Sequence, residues 1–103
     1  MGYKIRFTND ARQDLRDIYE YIALNLTAEK AAGNLMAEIE KSVMNLADFP
    51  CSSPFLSDDR LRQLGYRKLI IKKYIAVYAV DEKSKTVNIL RFFYGPSDYM
   101  KYL

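Results

Sequence analysis

Seven cations, Arg60, Arg62, Arg67, Lys68, Lys72, Lys73 and Arg91, fall in the second half of the sequence together with Tyr66, Tyr74, Tyr94 and Tyr99. Cations of this kind bind phosphates and tyrosine rings stack on bases, so the set has the chemistry of a nucleic-acid surface. It also has the chemistry of acid–base work. A desolvated lysine or tyrosine can move a proton, and an arginine can stabilise an extra phosphate charge. Against this stands the ordinary use of the same residues: lysines guard sheet edges against aggregation, and strand tyrosines bury their rings with the hydroxyl at the surface. For Tyr74 and Tyr78, on one face of one strand, the core reading is the stronger. Arg91 is different. It interrupts the most apolar segment, Val87 to Phe93, where a guanidinium requires a partner or an opening to water.

Composition removes most other chemistries. With no histidine and a single cysteine, Cys51, the chain has no Ser-His-Asp or Cys-His catalysis, no internal disulfide and none of the usual zinc or iron sites. Cys51 sits between Pro50 and Ser52 with nothing to activate it and reads as an inert thiol. There is no glycine-rich phosphate loop. Asp10, Asp14 and Asp17 have the spacing of one helix face and could hold a divalent ion. The interleaved Arg12 and Arg16 favour a solvated face of weak ion pairs instead. Neither a metal nor a cofactor is expected.

The chain of 103 residues suffices for one domain with a real core, residues 1–103, and is 50% apolar and 28% charged, the balance of a soluble globular protein. No apolar run is long enough to span a bilayer and no signal-peptide pattern opens the sequence, so a cytoplasmic protein without membrane contact is expected. The net charge of +3 conceals a split. From Asn9 to Asp59 the charges sum to −6, and from Arg60 to Leu103 to +7, with Lys4 and Arg6 supplying the rest. A positive field over the second half would attract nucleic acid or an acidic protein.

The elements that must position these residues follow from periodicity. Tyr3, Ile5 and Phe7 alternate with Lys4 and Arg6, the pattern of a short strand, and Thr8, Asn9 and Asp10 offer a helix cap. Ala11, Leu15, Ile18, Tyr19 and Ile22 form one helical stripe ending near Asn25. Thr27 is the expected cap of a second helix with Ala32, Leu35, Met36, Ile39, Val43 and Leu46 on its apolar face, ending before Pro50. Residues 49–63, with two prolines, three serines and an Asp-Asp pair, read as a loop. Tyr66 to Ile71 and Tyr74 to Val80 read as strands joined by a tight turn at Lys72 and Lys73, and Val87 to Phe93 as an interior strand that Gly95 and Pro96 end. One terminal helical turn is expected over Ser97 to Leu103. The predicted fold class is α+β: a short first strand, an antiparallel helical hairpin, and a mainly antiparallel sheet of three further strands.

Five segments in this order, ARQDLRDIYEYIA from Ala11, LADFP from Leu46, GYRK from Gly65, YIAVYAVD from Tyr74 and VNILRFFYGPSDY from Val87, give the chain a resemblance to the RelE/ParE superfamily of bacterial type II toxins. The resemblance covers nearly the whole chain. It implies a plasmid-stabilisation-type growth inhibitor neutralised by a cognate antitoxin, usually encoded beside it, that wraps it with an extended segment and a helix. RelE-like members cleave messenger RNA on the ribosome with lysine, arginine and tyrosine, sometimes histidine. ParE-like members poison DNA gyrase.

Two positions depart from the RNA-cleaving pattern. Ile75 stands where that branch carries an arginine, and Tyr94, Gly95, Pro96 and Ser97 replace a segment that is often His-Gly-Arg-Arg. Loss of an arginine aimed at a transition state costs about 2–4 kcal/mol. The long helices, GYRK and ILR ending at Arg91 resemble ParE more closely. The preferred reading is therefore a non-catalytic toxin binding gyrase through Arg60, Arg62, Arg67, Lys68, Lys72, Lys73, Arg91, Tyr94 and Tyr99. The alternative is a ribosome-dependent endoribonuclease acting on messenger RNA through Arg67, Lys68, Tyr94 and Arg91. A third is a non-toxic remnant that keeps only antitoxin binding; a homodimer is compatible with all three.

Overall fold

The computed structural model describes residues 2–96 together with 102 and 103. The expected C-terminal turn over Ser97 to Leu103 lies largely outside the described residues, and Tyr99 lies wholly outside them.

The chain opens with β1 (Lys4–Phe7), and α1 (Asn9–Glu20) follows at once. Thr8 makes that join. Its N–H donates to Ile89 O (3.0 Å), while its hydroxyl donates to Leu90 O (2.7 Å) and accepts from Ala11 N (3.0 Å). One side chain thus caps the helix and ties it to the sheet.

The end of α1 widens into a π-helical turn, Tyr21–Asn25, with Leu26 N donating to Tyr21 O (3.2 Å), and α2 (Glu29–Met44) returns across it. Thr27 is not the cap of α2. Ala28 occupies that position without a side-chain hydrogen bond, and Thr27 adopts φ 52° to turn the corner. A β-branched residue in the left-handed region is strained, because its side chain crowds the following carbonyl.

Four strands form a mixed sheet in the order β1, β4 (Thr86–Tyr94), β3 (Tyr74–Asp81), β2 (Arg67–Ile71). β1 runs parallel to β4, and the other pairs are antiparallel. The turn between β2 and β3 is Lys72–Lys73 as expected, with Lys72 at φ 55°. On one face, Ala11, Leu35, Ile39, Val43 and Leu46 from the helical layer pack on Ile71, Ala76, Tyr78, Val87, Ile89 and Phe92. Tyr78 is fully buried, and its hydroxyl is satisfied by donation to Pro50 O at 2.9 Å.

The segment 49–63 is more than the loop its prolines suggest. It contains a short helix, α3 (Asp59–Gln63), capped by Asp58, whose carboxylate accepts from Leu61 N at 3.1 Å. Leu56 and Leu61 bury completely against Ile75, Val77 and Phe93 on the other face of the sheet, building a second, smaller core. Each fully buried leucine contributes roughly 1.5–3 kcal/mol, enough to hold a segment that has little regular hydrogen bonding of its own.

β4 changes phase in its middle. Val77 opposes Arg91 and Tyr78 opposes Ile89, so Leu90 is an extra residue, a bulge. Ile89 and Phe92 therefore both reach the helical core, whereas Leu90 faces the second core and Arg91 is carried away from the helical face.

Relieving the strained corner should stabilise the protein. Thr27→Gly is expected to raise unfolding free energy by about 0.5–1 kcal/mol, read from the urea midpoint. A lower midpoint would contradict the assigned backbone geometry.

Candidate functional site

Arg91 has a partner, and it is Asp14. Asp14 Oδ2 accepts from Arg91 Nε (2.7 Å) and from the backbone N–H of Phe92 (2.9 Å), and Oδ1 accepts from Arg91 Nη2 (3.1 Å). The side chains are only 29% and 13% exposed. β1 stops short of this part of β4, so the Phe92 N–H points from an uncovered strand edge. The carboxylate on α1 satisfies it. The bond from Asp14 raises the guanidinium pKa further, against a smaller opposing effect of burial, and Arg91 stays charged. Its Cζ also lies 4.9 Å from the centre of the Phe93 ring. Asp14 therefore leaves the solvated acidic face that its spacing suggested. Asp17 stays there, accepting from Gln13 Nε2 at 2.8 Å. Among the described residues no three cysteine, aspartate or glutamate side chains gather as a metal site.

The other candidates are dispersed. Arg67 donates to Ser53 O (2.7 Å), and its Cζ stands 3.9 Å from the Phe55 ring centre, with Arg62 at 5.6 Å from the same ring. Arg60 Nη1 reaches Leu103 O at 3.5 Å. Lys68 and Arg91 oppose Val77 from the two flanking strands on the second-core face, about 10 Å apart by strand spacing. Arg67 and Tyr94 belong to the helical face, at opposite ends of the sheet. They are in register with Tyr78 and Tyr74, four residues or about 13 Å apart along β3. Arg67 and Tyr94 thus lie on one face of the sheet, and Lys68 and Arg91 on the other. Lys72 and Lys73 are exposed at the β2–β3 tip, where Lys73 O accepts from Gly95 N at 2.7 Å. A Cβ at Gly95 would stand 3.0 Å from that oxygen, which accounts for glycine at this step of the Tyr94–Pro96 segment.

A feature absent from the sequence reading is an open apolar groove of about 760 Å³ between α1, its π-helical turn and the ends of β3 and β4. Ile18, Ile22, Leu26, Tyr74 and Phe92 line it, with Asp14 and Asp17 at one margin and Tyr21 and Tyr94 among its walls. Tyr74 and Tyr94 meet edge to face with ring centres 5.6 Å apart. Burial, and then the nearby Tyr94 and Tyr21 hydroxyls, raise the pKa of Tyr74, which stays protonated at neutral pH. The signal was present in YIALNL from Tyr21, apolar at every position but Asn25: Tyr21, Leu24 and Leu26 are all more than half exposed.

The profile of a family described as the ParE toxin of the type II toxin-antitoxin system parDE matches residues 5–99. The chain belongs to the ParE toxin family. Two solved structures share the fold of this ParE-family chain. One is the toxin-antitoxin complex RelBE2 from Mycobacterium tuberculosis, at 22% identity over 91% of this chain and 99% of that one, with a TM-score of 0.66. The other is the chromosomal ParDE system from P. aeruginosa, at 24% identity over 86% and 91%, with a TM-score of 0.67. No curated protein matches the sequence. Among the described residues, no helix is long and apolar enough to cross a membrane.

In this ParE-family chain the Asp14–Arg91 pair is expected to be worth more as a joint than as an ion pair. Asp14→Ala leaves a half-buried guanidinium and the Phe92 N–H without their acceptor, and should cost about 2–3 kcal/mol in urea unfolding. Asp14→Leu combined with Arg91→Met should recover part of that loss. A cost below about 0.5 kcal/mol for Asp14→Ala would contradict the assignment.

Proposed function

We propose that the chain is a growth-inhibiting cytoplasmic toxin that binds DNA gyrase without catalysing a reaction itself, and that a cognate antitoxin neutralises it. The observation that carries this reading is the engagement of Arg91 by Asp14. A transition-state clamp must present its donors to the substrate, and two of the donors of Arg91 are already spent on a carboxylate inside the same molecule. The separation of Arg67 from Tyr94 supports the reading further, because general acid–base work needs groups within hydrogen-bond reach of one another or of one substrate atom. Exposed cations remain. Arg60 and Arg62 on α3 and Lys72 and Lys73 at the β2–β3 tip are accessible to a large acidic or nucleic-acid-bound target.

The apolar groove beside α1 is the natural seat for the antitoxin. It is concave, lined by aliphatic and aromatic side chains, and continuous with the exposed Leu24 and Leu26. A surface of that kind takes the apolar stripe of an amphipathic segment. The basic target-facing edge and the antitoxin groove meet at Tyr74, which also borders Lys72 and Lys73. An occupant of the groove would therefore crowd the cationic tip, which gives neutralisation a steric route.

Induced expression in bacteria tests the function. Growth arrest with accumulation of gyrase-DNA cleavage complexes is expected, weakened roughly tenfold or more by Lys72→Glu with Lys73→Glu through reversal of charge at the interface. Messenger RNA cuts at stalled ribosomes that vanish on Arg67→Ala, with gyrase untouched, would establish the endoribonuclease instead. Absence of growth arrest would leave only an antitoxin-binding remnant.

A further inference from the structure

The groove carries an unexpected charge. Its floor is apolar, yet its α1 margin holds Asp14 and Asp17, and three of its walls are the tyrosines Tyr21, Tyr74 and Tyr94. Asp14 is neutralised by Arg91. Asp17 receives only the neutral Gln13 amide, and no cation lies within ion-pair distance of it among the described residues. Asp17 and Tyr21 are four residues apart, and so stand on one face where α1 passes into the π-helical turn. Tyr74 and Tyr94, cross-strand neighbours on β3 and β4, meet edge to face at the sheet end of the groove, and Tyr74 is close enough to both Tyr94 and Tyr21 to feel their hydroxyls electrostatically. Aromatic faces with an uncompensated carboxylate beside them are the two ingredients of a site for an organic cation.

We infer that Tyr21, Tyr74, Tyr94 and Asp17 form a cage that receives one arginine or lysine side chain, projected from an otherwise apolar segment of the antitoxin. The inference rests on the proposed antitoxin occupancy of the groove and adds its chemical specificity. Charge complementarity selects this occupant. A purely apolar helix would satisfy the floor but would partly desolvate Asp17 at the margin without supplying a counter-ion, which is unfavourable. A segment with an acidic residue at that point would be repelled. The cation lies flat on the tyrosine faces, where partial desolvation strengthens the attraction, while Asp17 holds its outer edge in contact with water. The occupant thereby acquires a fixed register along the groove, since its apolar residues can shift by a turn but its single cation cannot.

The test uses the full chain and the product of the adjacent gene, with affinity measured on the purified pair. Tyr21→Leu and Tyr94→Leu should each weaken binding roughly 3- to 30-fold, whereas Tyr21→Phe and Tyr94→Phe, which keep the ring face and lose the hydroxyl, should bind within about twofold of the parent. Asp17→Asn should weaken binding and flatten its salt dependence. Tyr21 and Asp17 are exposed, so the variants at these two positions should melt like the parent and report on binding alone. Replacing the partner's cation with glutamine should give the same loss, without further loss when combined with Tyr94→Leu. Unchanged affinity in Tyr21→Leu, Tyr94→Leu and Asp17→Asn would overturn the cage, as would full additivity with the partner substitution, or failure of the adjacent product to bind. Gyrase damage measured separately keeps the two proposals apart. Arrest through gyrase with cation-independent neutralisation sinks only the cage, and cation-dependent capture without gyrase damage sinks only the target.

Discussion

The carboxylate of Asp14 joins the helical layer of this molecule to its sheet. Its two oxygens receive three donors: two from Arg91 and one from the Phe92 backbone. The need for it arises from strand lengths. β1 pairs with β4 only from Thr86 to Ile89, and β4 continues to Tyr94. Beyond Ile89 the edge of β4 would expose a backbone donor beside packed apolar residues, which is costly when unsatisfied. α1 takes the place of β1 there, and an acid one turn into that helix supplies the missing acceptor.

That substitution explains other features of the chain. Thr8 serves as the pivot, ending β1, capping α1 and fastening both to Ile89 and Leu90. The bulge at Leu90 rotates Arg91 off the helical face while returning Phe92 to it. Without the extra residue the alternation of the strand would send Arg91 into the core and Phe92 out of it. The guanidinium instead reaches the edge, where a helix carboxylate can meet it. The same phase change sends Leu90 toward the second core, which the segment carrying Leu56 and Leu61 completes.

Much of this was legible in the sequence, for reasons that can be stated residue by residue. The strand at Tyr3 and both long helices follow from periodicity, because each has a buried face and a wetter one, whereas the strands at Tyr66, Tyr74 and Val87 follow from their branched and aromatic residues, β3 and β4 being buried on both faces. The cost of Arg91 inside an apolar strand was visible too, and it called for a partner or an opening to water. The identity of that partner was not, since Asp14 is 77 residues away and its neighbours Arg12 and Arg16 offered a local explanation. α3 was hidden by the prolines and serines that flank it, although Asp58 three residues before Leu61 is a capping signal. Thr27 failed as a cap because the π-helical turn changes the direction of the chain before α2 begins. The groove could not be read at all. It is made by α1, β3 and β4 together, and no periodicity within one element reports a concavity between three.

These observations give the basic half of the sequence a narrower meaning. Arg60 and Arg62 on α3 and Lys72 and Lys73 at the β2–β3 tip are exposed, while Arg91 at the centre of the apolar strand is held by Asp14. Hydrogen exchange at the joint tests that division most directly. If Asp14 holds Arg91 and Phe92 as described, the Phe92 amide and the Arg91 Nε–H should both exchange slowly at neutral pH, and Asp14→Asn should speed both. A Phe92 amide that stays protected while Arg91 Nε–H exchanges at the rate of a free arginine would show the guanidinium to be unbound, and would return Arg91 to the surface available for a target.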